Sequence, residues 1–269
     1  FHWPGSAIGA AYDEINLMKA VRRNAFGIRG LTPPPVPVPA PPTLLPITDP
    51  AAISWQGSVG AASYTVERAP GLGGPWKVVG KGIDESSVQY RPLFADEAAP
   101  AGEWYYRVRA NNEAGASEIS NVVGPVKVMH ATLVDELADF SKVQPQPGRL
   151  EIKTRDCRKA KEDAHRAAGN AGDALIYRLP AAIEGFRVFV FSPGDIAAPK
   201  FAVSADGRTY RNVIAGKEIY FEGAGDYNYW KPVLYHAADI GGDGRFLKIE
   251  LTGETQIGRV EIIHALEPK

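Results

Sequence analysis

The clearest β-strand pattern in the sequence is the run Trp104-Tyr105-Tyr106-Arg107-Val108-Arg109-Ala110. Along it, Tyr106 and Val108 alternate with Arg107 and Arg109, so the two kinds of side chain would point to opposite faces of a strand. A strand with one buried face and one solvated face has this period of two. The run therefore predicts a half-buried strand in a sheet that covers a core.

Five further runs of β-forming residues lie on either side of this strand, and turn signals separate them. They cover residues 53–55, 63–68, 76–79, 87–90 and 117–123. Roughly seven short strands within about ninety residues are typical of an immunoglobulin-like sandwich. We therefore expect such a sandwich over residues 36–128.

The pattern changes at about residue 130. A charged, glycine-containing segment over 151–173 is followed by β-forming runs that turns such as Ala205-Asp206-Gly207 divide. The runs cover residues 175–179, 186–191, 201–204, 218–221, 233–235, 246–251 and 257–263. They predict a second, larger β-sandwich of jelly-roll type over residues 130–269, so the expected fold class is mainly β.

One α-helix is predicted ahead of the two sandwiches, over residues 12–29. Its apolar residues recur at steps of three and four, and Gly30 supplies a C-terminal stop. Because no other helix lies nearby in sequence, we expect this one to pack on an element outside the stretch. The proline-rich residues 32–46 follow and favour a semi-rigid polyproline II linker.

Composition and charge exclude several classes of function. The 269 residues include 30 basic and 31 acidic ones, and a net charge of -1 offers no field that would attract nucleic acid. No apolar run approaches the roughly 18 residues of a membrane-spanning helix. The single cysteine, Cys157, excludes an intrachain disulfide, and the five histidines are too scattered for a zinc site. We therefore expect neither a nucleic acid nor a membrane as partner.

Residues 36–128 resemble a fibronectin type III domain. The resemblance is carried by Trp55, residues 64–68, residues 105–115, Ser117 and Ser120-Asn121. It implies that Trp55 and Tyr106 fill the core between two sheets. It also implies that the Tyr106 hydroxyl donates to a backbone carbonyl.

Residues 130–269 are similar to the discoidin or galactose-binding-like family of jelly rolls. The similarity is carried by a Ser-x-Asp-Gly hairpin and two closing strands, residues 201–210, 244–249 and 257–262. It implies that loops at one end of the sandwich bind carbohydrate. No cofactor is required, but the resemblance implies a structural calcium ion, with Asp135 and Glu261 as candidate ligands.

The start of the chain contains Phe1-His2-Trp3-Pro4-Gly5, Tyr12-Asp13-Glu14 and residues 25–31. Residues 1–31 thereby resemble the last strand end and last helix of a family five glycoside hydrolase (β/α)8 barrel, most of all that of a β-mannanase. The resemblance implies a secreted or periplasmic enzyme, although no signal peptide is visible. Both catalytic glutamates of such a barrel would lie outside this chain. We therefore assign no catalytic residue and expect no hydrolase activity from the chain alone.

The loop over 223–230 has the composition of a carbohydrate site, with flat aromatic faces beside polar groups. The candidates are the stacking residues Tyr227, Tyr229 and Trp230 and the hydrogen-bonding residues Asp226, Asn228 and Lys231. The alternative is that Trp230 and Tyr235 belong to the core, with the two tyrosines covering the end of the sandwich. Trp3 is a further candidate for sugar stacking, and packing is its alternative role.

Residues 155–166 mix charges of both signs, which argues against a nucleic-acid-binding stripe. We interpret this segment as a solvated loop or short helix with local ion pairs. A domain-interface or ligand-lining role is the alternative. Cys157 within it is interpreted as a small hydrophobic residue.

Together these patterns predict a non-catalytic accessory region of a secreted, polysaccharide-degrading glycoside hydrolase of the β-mannanase type. Its expected partners are the catalytic barrel of the same enzyme and a polysaccharide such as mannan. Two alternatives stay open. The sandwiches could be structural and bind no sugar, or the chain could be one piece of an active endo-β-mannanase whose barrel is in a separate or missing chain.

Overall fold

The structure is a computed structural model that describes Gly27, Gly30 and residues 35–87, 90–144, 149–194, 197–219 and 230–266. The chain divides into two compact units, Phe1–Val128 and Met129–Lys269. Its described elements are β-strands and two short 3-10 turns, Glu85–Ser87 and Cys157–Ala160, so the predicted mainly β fold is confirmed. The described part contains no helix with the length and hydropathy that crossing a bilayer requires. Trp3, and the predicted helix apart from Gly27, lie outside the described residues.

The strands of the first unit are all paired antiparallel. They are β1 (Thr43–Leu44), β2 (Trp55–Gln56), β3 (Ser63–Ala69), β4 (Lys77–Ile83), β5 (Gly102–Asn112), β6 (Gly115–Ala116) and β7 (Val123–Val128). One sheet has the order β4-β3-β5-β6, with β7 also paired to β5, and the other contains β1 and β2. An isolated bridge joins Ile53, just before β2, to Phe94.

Strand β4 forms one edge of the larger sheet of this unit. Its pairing with β3 is interrupted by two register shifts. Lys77 and Lys81 of this strand are both exposed. The edge is therefore charged and irregular along its length.

The core of the first unit lies between its two sheets. Tyr106, Val108 and Ala110 of β5 are fully buried, whereas Arg107 and Arg109 on the opposite face are partly exposed. The ring of Trp55 lies 5.1 Å from that of Tyr64 within the same core. The predicted burial of Trp55 and Tyr106 is confirmed.

The predicted hydrogen-bond acceptor of the Tyr106 hydroxyl is wrong. The hydroxyl donates to the Asp96 carboxylate over 3.2 Å, not to a backbone carbonyl. Asp96 also accepts from Nη1 of Arg68 over 2.6 Å, and all three residues are buried. Because a carboxylate is a stronger acceptor than a carbonyl, it satisfies a hydroxyl and a guanidinium at one point.

The second unit contains two antiparallel sheets. Its strands are β8 (Ala131–Asp135), β9 (Glu151–Lys153), β10 (Arg166–Gly169), β11 (Ala174–Arg178), β12 (Ile183–Ser192), β13 (Lys200–Ser204), β14 (Arg211–Val213), β15 (Gly216–Ile219), β16 (Lys231–Ala237), β17 (Phe246–Glu250) and β18 (Thr255–His264). The large sheet has the order β15-β16-β12-β18-β10-β9, and β8 also pairs with β18. The small sheet has the order β11-β17-β13-β14.

One hydrophobic core joins the facing sides of these sheets. Phe186 and Val188 come from the large sheet, and Tyr177, Leu247 and Ile249 from the small one, and all are fully buried. The strands alternate as a sandwich requires, because each has one face toward this core. The second unit is therefore a β-sandwich with a core of its own.

The outer face of the large sheet is also buried in its middle. Phe189 and Phe191 of β12 and Arg259 of β18 point away from the core, since their neighbours along each strand belong to it, yet each is at most 2% exposed. The segment over 154–165, which connects β9 to β10, reaches this face, because backbone carbonyls of the segment accept hydrogen bonds from Arg166. A third layer therefore covers part of the large sheet.

Candidate functional site

A cavity of about 570 Å³ lies between the outer face of the large sheet and the segment over 154–165. Gln256 of β18, Arg166 of β10 and Trp230, which directly precedes β16, line it from the sheet side. The segment supplies its other wall. The backbone N–H of Trp230 donates to the carbonyl of Lys159 over 2.8 Å, which ties the segment to the start of β16.

The wall formed by the segment has an unusual backbone. Asp156, Lys161 and Glu162 adopt φ values of 54°, 52° and 63° without being glycine. Such left-handed conformations cost on the order of 1–3 kcal/mol each and persist only where surrounding contacts enforce them. The N–H of Glu162 donates to the carbonyl of Cys157 over 2.8 Å, which closes this turn. Strained backbone of this kind clusters at ligand sites.

Arg166 is the most buried charged group of the cavity, at 1% exposure. Alternation along β10 places it on the outer face, because the next residue, Ala167, belongs to the core. Its Nε donates to Oε1 of Gln256 over 2.7 Å. Its Nη1 and Nη2 donate to the carbonyls of Asp163 and Arg155. All three acceptors are uncharged oxygens.

The remaining charged lining is mostly basic and is exposed, except for Lys153, which is partly exposed. Among the described lining residues, four cationic side chains and two carboxylates contribute, and the pairing of Lys153 leaves an excess of one positive charge. They are Lys153, Arg155, Lys159 and Arg166 against Asp156 and Glu254. Lys153 is paired with Glu151, which lies outside the lining. The cavity therefore combines one indole, several hydrogen-bonding groups and a positive potential.

The structure places Trp230 at this cavity, partly exposed, and Tyr235 in the core at 5% exposure. Lys231 is the first residue of β16 and pairs with Ser192. The remaining candidates of the 223–230 loop lie outside the described residues, as does Trp3. They are Asp226, Tyr227, Asn228 and Tyr229.

Asp135 and Glu261, the candidate calcium ligands, lie on adjacent strands but on opposite faces of the large sheet. Asp135 pairs with Val260, a core residue, and accepts from the Tyr177 hydroxyl over 3.0 Å. Glu261 accepts from Nε of Arg259 over 2.7 Å and from Arg187. The sheet thus separates the two carboxylates, and the described residues contain no group of three side chains that could hold a metal ion.

The sequence predicts a solvated loop or short helix over 155–166, and the structure has the 3-10 turn Cys157–Ala160 within it. The feature that this prediction missed is that Arg166 ends the segment as a buried strand residue beside Gln256, 90 positions later in the chain. The local signal is the small, apolar Ala167-Ala168-Gly169 that follows Arg166, which favours a buried strand. The pairing with β18 has no local signal, because it depends on which distant strands meet.

Comparisons with known proteins find partial structural likenesses. No known protein family matches the sequence, and no curated protein matches it. An Fn3-like protein from Clostridium thermocellum is similar at 21% identity and a TM-score of 0.24, over 35% of this chain and 97% of its own. The C-terminal CBM6 of LamC, a marine laminarinase from Zobellia galactanivorans, is similar at 14% identity and a TM-score of 0.29, over 49% of this chain and 98% of its own.

The catalytic domain of a GH87 alpha-1,3-glucanase is similar at 12% identity and a TM-score of 0.33, over 51% of this chain and 29% of its own. All three likenesses cover part of the chain at low identity. The description of both units as β-sandwiches rests on the strand order and the two cores given above.

Proposed function

We propose that this chain is a non-catalytic accessory region of a secreted polysaccharide-degrading glycoside hydrolase, and that its second unit binds carbohydrate. The observation that carries the proposal is the partly exposed indole of Trp230 at a polar cavity of about 570 Å³. An indole presents a flat apolar face that suits the C–H face of a pyranose ring. Cavities of roughly 300–1,000 Å³ with a few convergent polar groups are typical of small-ligand sites.

The polar residues that line the cavity also support carbohydrate binding. Gln256 and Thr154 offer neutral donors and acceptors, and the Asp156 and Glu254 carboxylates offer acceptors for hydroxyl groups. A saccharide needs both an apolar face and several such partners around its ring. The cavity supplies the two together.

The proposal also includes the class of enzyme to which this region would belong. Residues 1–31 resemble the end of a β-mannanase barrel, which supports a mannan-degrading, secreted enzyme. The accessory region would keep that barrel near its polymer, because linked weak binding raises the effective local concentration of substrate. No chemistry from this chain is needed for that role.

The test is a calorimetric titration of the purified chain with soluble mannan, xylan, glucan and polygalacturonate. We expect binding to one class, weakened about tenfold or more by Trp230→Ala because the stacking face is lost. Trp76→Ala is the matched control, since Trp76 is a partly exposed tryptophan of the first unit that stacks on Arg107. Circular dichroism of each variant checks the fold.

If none of the glycans binds, the proposal is contradicted, and the alternative that the sandwiches are structural and bind no sugar is favoured. An equal loss in both tryptophan variants would also contradict it, because it would place the binding site elsewhere.

A further inference from the structure

We infer that the cavity of the second unit recognises an anionic saccharide, one that carries a carboxylate, as a hexuronic acid does. This inference rests on the proposed carbohydrate binding and specifies its substrate class, which differs from the neutral mannan named in that proposal. It comes from the charges around the cavity, which a neutral sugar would leave unused.

The first step concerns Arg166, whose charge is buried beside uncharged acceptors. Its side chain is 1% exposed, and its acceptors are an amide oxygen and two backbone carbonyls. Among the described residues no carboxylate forms an ion pair with it. Buried charges in proteins are normally paired, because an isolated one loses its hydration without compensation. The positive potential of Arg166 therefore acts on the cavity that it lines.

The second step concerns Arg155 and Lys159, which line the same cavity and are exposed. Within the part of the chain that the structure describes, neither side chain forms an ion pair. A guanidinium offers a planar pair of donors that fits a carboxylate, and an ammonium offers a compact positive charge. Both can contact a ligand directly, whereas Arg166 lies deeper and contributes mainly through its charge.

The third step is the sum of charges. Among the described residues, Asp156 and Glu254 also line the cavity and Glu151 pairs with Lys153, so the charge of one of the four cations is not offset. The two carboxylates suit sugar hydroxyls, which donate to them. The excess positive charge then remains for an anionic substituent on the same sugar. The low dielectric of a partly enclosed cavity strengthens that attraction.

The experiment compares sugars that differ only in charge. The full chain is titrated calorimetrically with D-glucuronate against D-glucose and with D-galacturonate against D-galactose, at low and at high salt. We expect the affinity for each acid to be at least about ten times that for its neutral partner, because charge-assisted hydrogen bonds are stronger than neutral ones. Salt should reduce this preference, because mobile ions screen exposed charges.

Two pairs of variants test the residues. Arg155→Gln and Lys159→Gln should each weaken uronate binding about tenfold and weaken binding of the matching neutral sugar by a clearly smaller factor. Arg208→Gln and Lys217→Gln are the matched controls, because they remove the same charges from exposed side chains of the second unit that do not line the cavity. They should change neither uronate binding nor neutral-sugar binding. All four positions are exposed, so the fold should persist in each variant.

The outcomes separate this inference from the proposed function. Equal binding of acidic and neutral sugars, unaffected by the charge variants, would overturn the inference and leave carbohydrate binding intact. Loss of all sugar binding would overturn both. Sodium sulfate binding as tightly as the uronates would reveal a general anion site and would also overturn the inference.

Discussion

Two aspartates of the second unit have pKa values displaced in opposite directions. Burial raises the pKa of Asp135, although it accepts hydrogen bonds from the Leu137 N–H and the Tyr177 hydroxyl. Asp206 is fully exposed, and hydrogen bonds from the Thr209 and Arg208 N–H groups lower its pKa to about 2. The two residues should therefore have opposite effects on the dependence of stability on pH.

For Asp135, a raised pKa in the folded state means that ionisation disfavours the fold. Its contribution is complete below the ordinary aspartate pKa of about 3.9 and is lost as pH rises through the raised value. The free energy of unfolding of the wild type, relative to Asp135→Asn, should therefore fall as pH rises above about 4 and become constant above the raised pKa. Urea unfolding of the wild type and of Asp135→Asn at each pH, monitored by hydrogen exchange of peptides from β11, measures this difference. A difference that rises with pH would contradict the assignment.

For Asp206, the lowered pKa reverses the sign. The wild type should gain stability relative to Asp206→Asn as pH rises from about 2 to about 4, and the difference should then stay constant. The same unfolding experiment serves both variants, so each is the other's control. No change across this range would mean that the turn does not depend on the carboxylate charge.

These residues also show where local reasoning suffices. The turn at Ala205-Asp206-Gly207 is confirmed, because its determinants lie within a few residues: Asp206 caps the following N–H groups, and Gly207 adopts a φ of 72°. Arg166 is different. Its role depends on Gln256, which only the tertiary fold brings close.

At the scale of elements, the connection between β6 and β7 departs from the sequence prediction. The strand predicted over 117–123 is confirmed only at Val123, because regular pairing stops at Ala116 and resumes at Val123. In between, the hydroxyls of Ser117 and Ser120 accept from the N–H groups of Ala110 and Val108, each over 3.0 Å. Side chains thus take the place of backbone acceptors, a substitution that strand propensity does not reveal.

Removing either hydroxyl should leave a buried N–H of β5 without its side-chain acceptor. We expect Ser117→Ala and Ser120→Ala each to lower the free energy of unfolding of the first unit by about 1–3 kcal/mol. Ser63→Ala on the neighbouring strand β3 is the matched control and should change it little, since Ser63 is partly exposed. Chemical denaturation of the three variants measures the effect. Equal stabilities would show that water replaces the hydroxyls.

At the scale of the whole molecule, each unit has its own hydrophobic core. All described residues that line the cavity belong to the second unit. Residues 129–269 produced alone should therefore fold and bind the same saccharide with an affinity within about threefold of the full chain. Calorimetry of the isolated unit checks this. A folded but inactive fragment would mean that the first unit takes part in binding.

The sequence allowed both sandwiches to be anticipated, because strand alternation and turns repeat along each of them. The cavity could not be located in the same way. Trp230 and Lys159 meet through one backbone hydrogen bond between segments far apart in the chain. Trp230 could be predicted as a candidate because its loop is rich in aromatic and polar residues. The basic residues opposite it could not be predicted, because they reach the cavity only through the segment over 154–165 that covers part of the large sheet.

The charged, irregular edge strand β4 has a consequence for the polysaccharide binding proposed above. Many copies gathered along one fibre would face one another at high local density, where exposed sheet edges join into larger sheets. Lys77 and Lys81 repel a second edge of the same kind, and the register shifts in β4 spoil its alignment. Molecules crowded on one polysaccharide would then stay separate from one another.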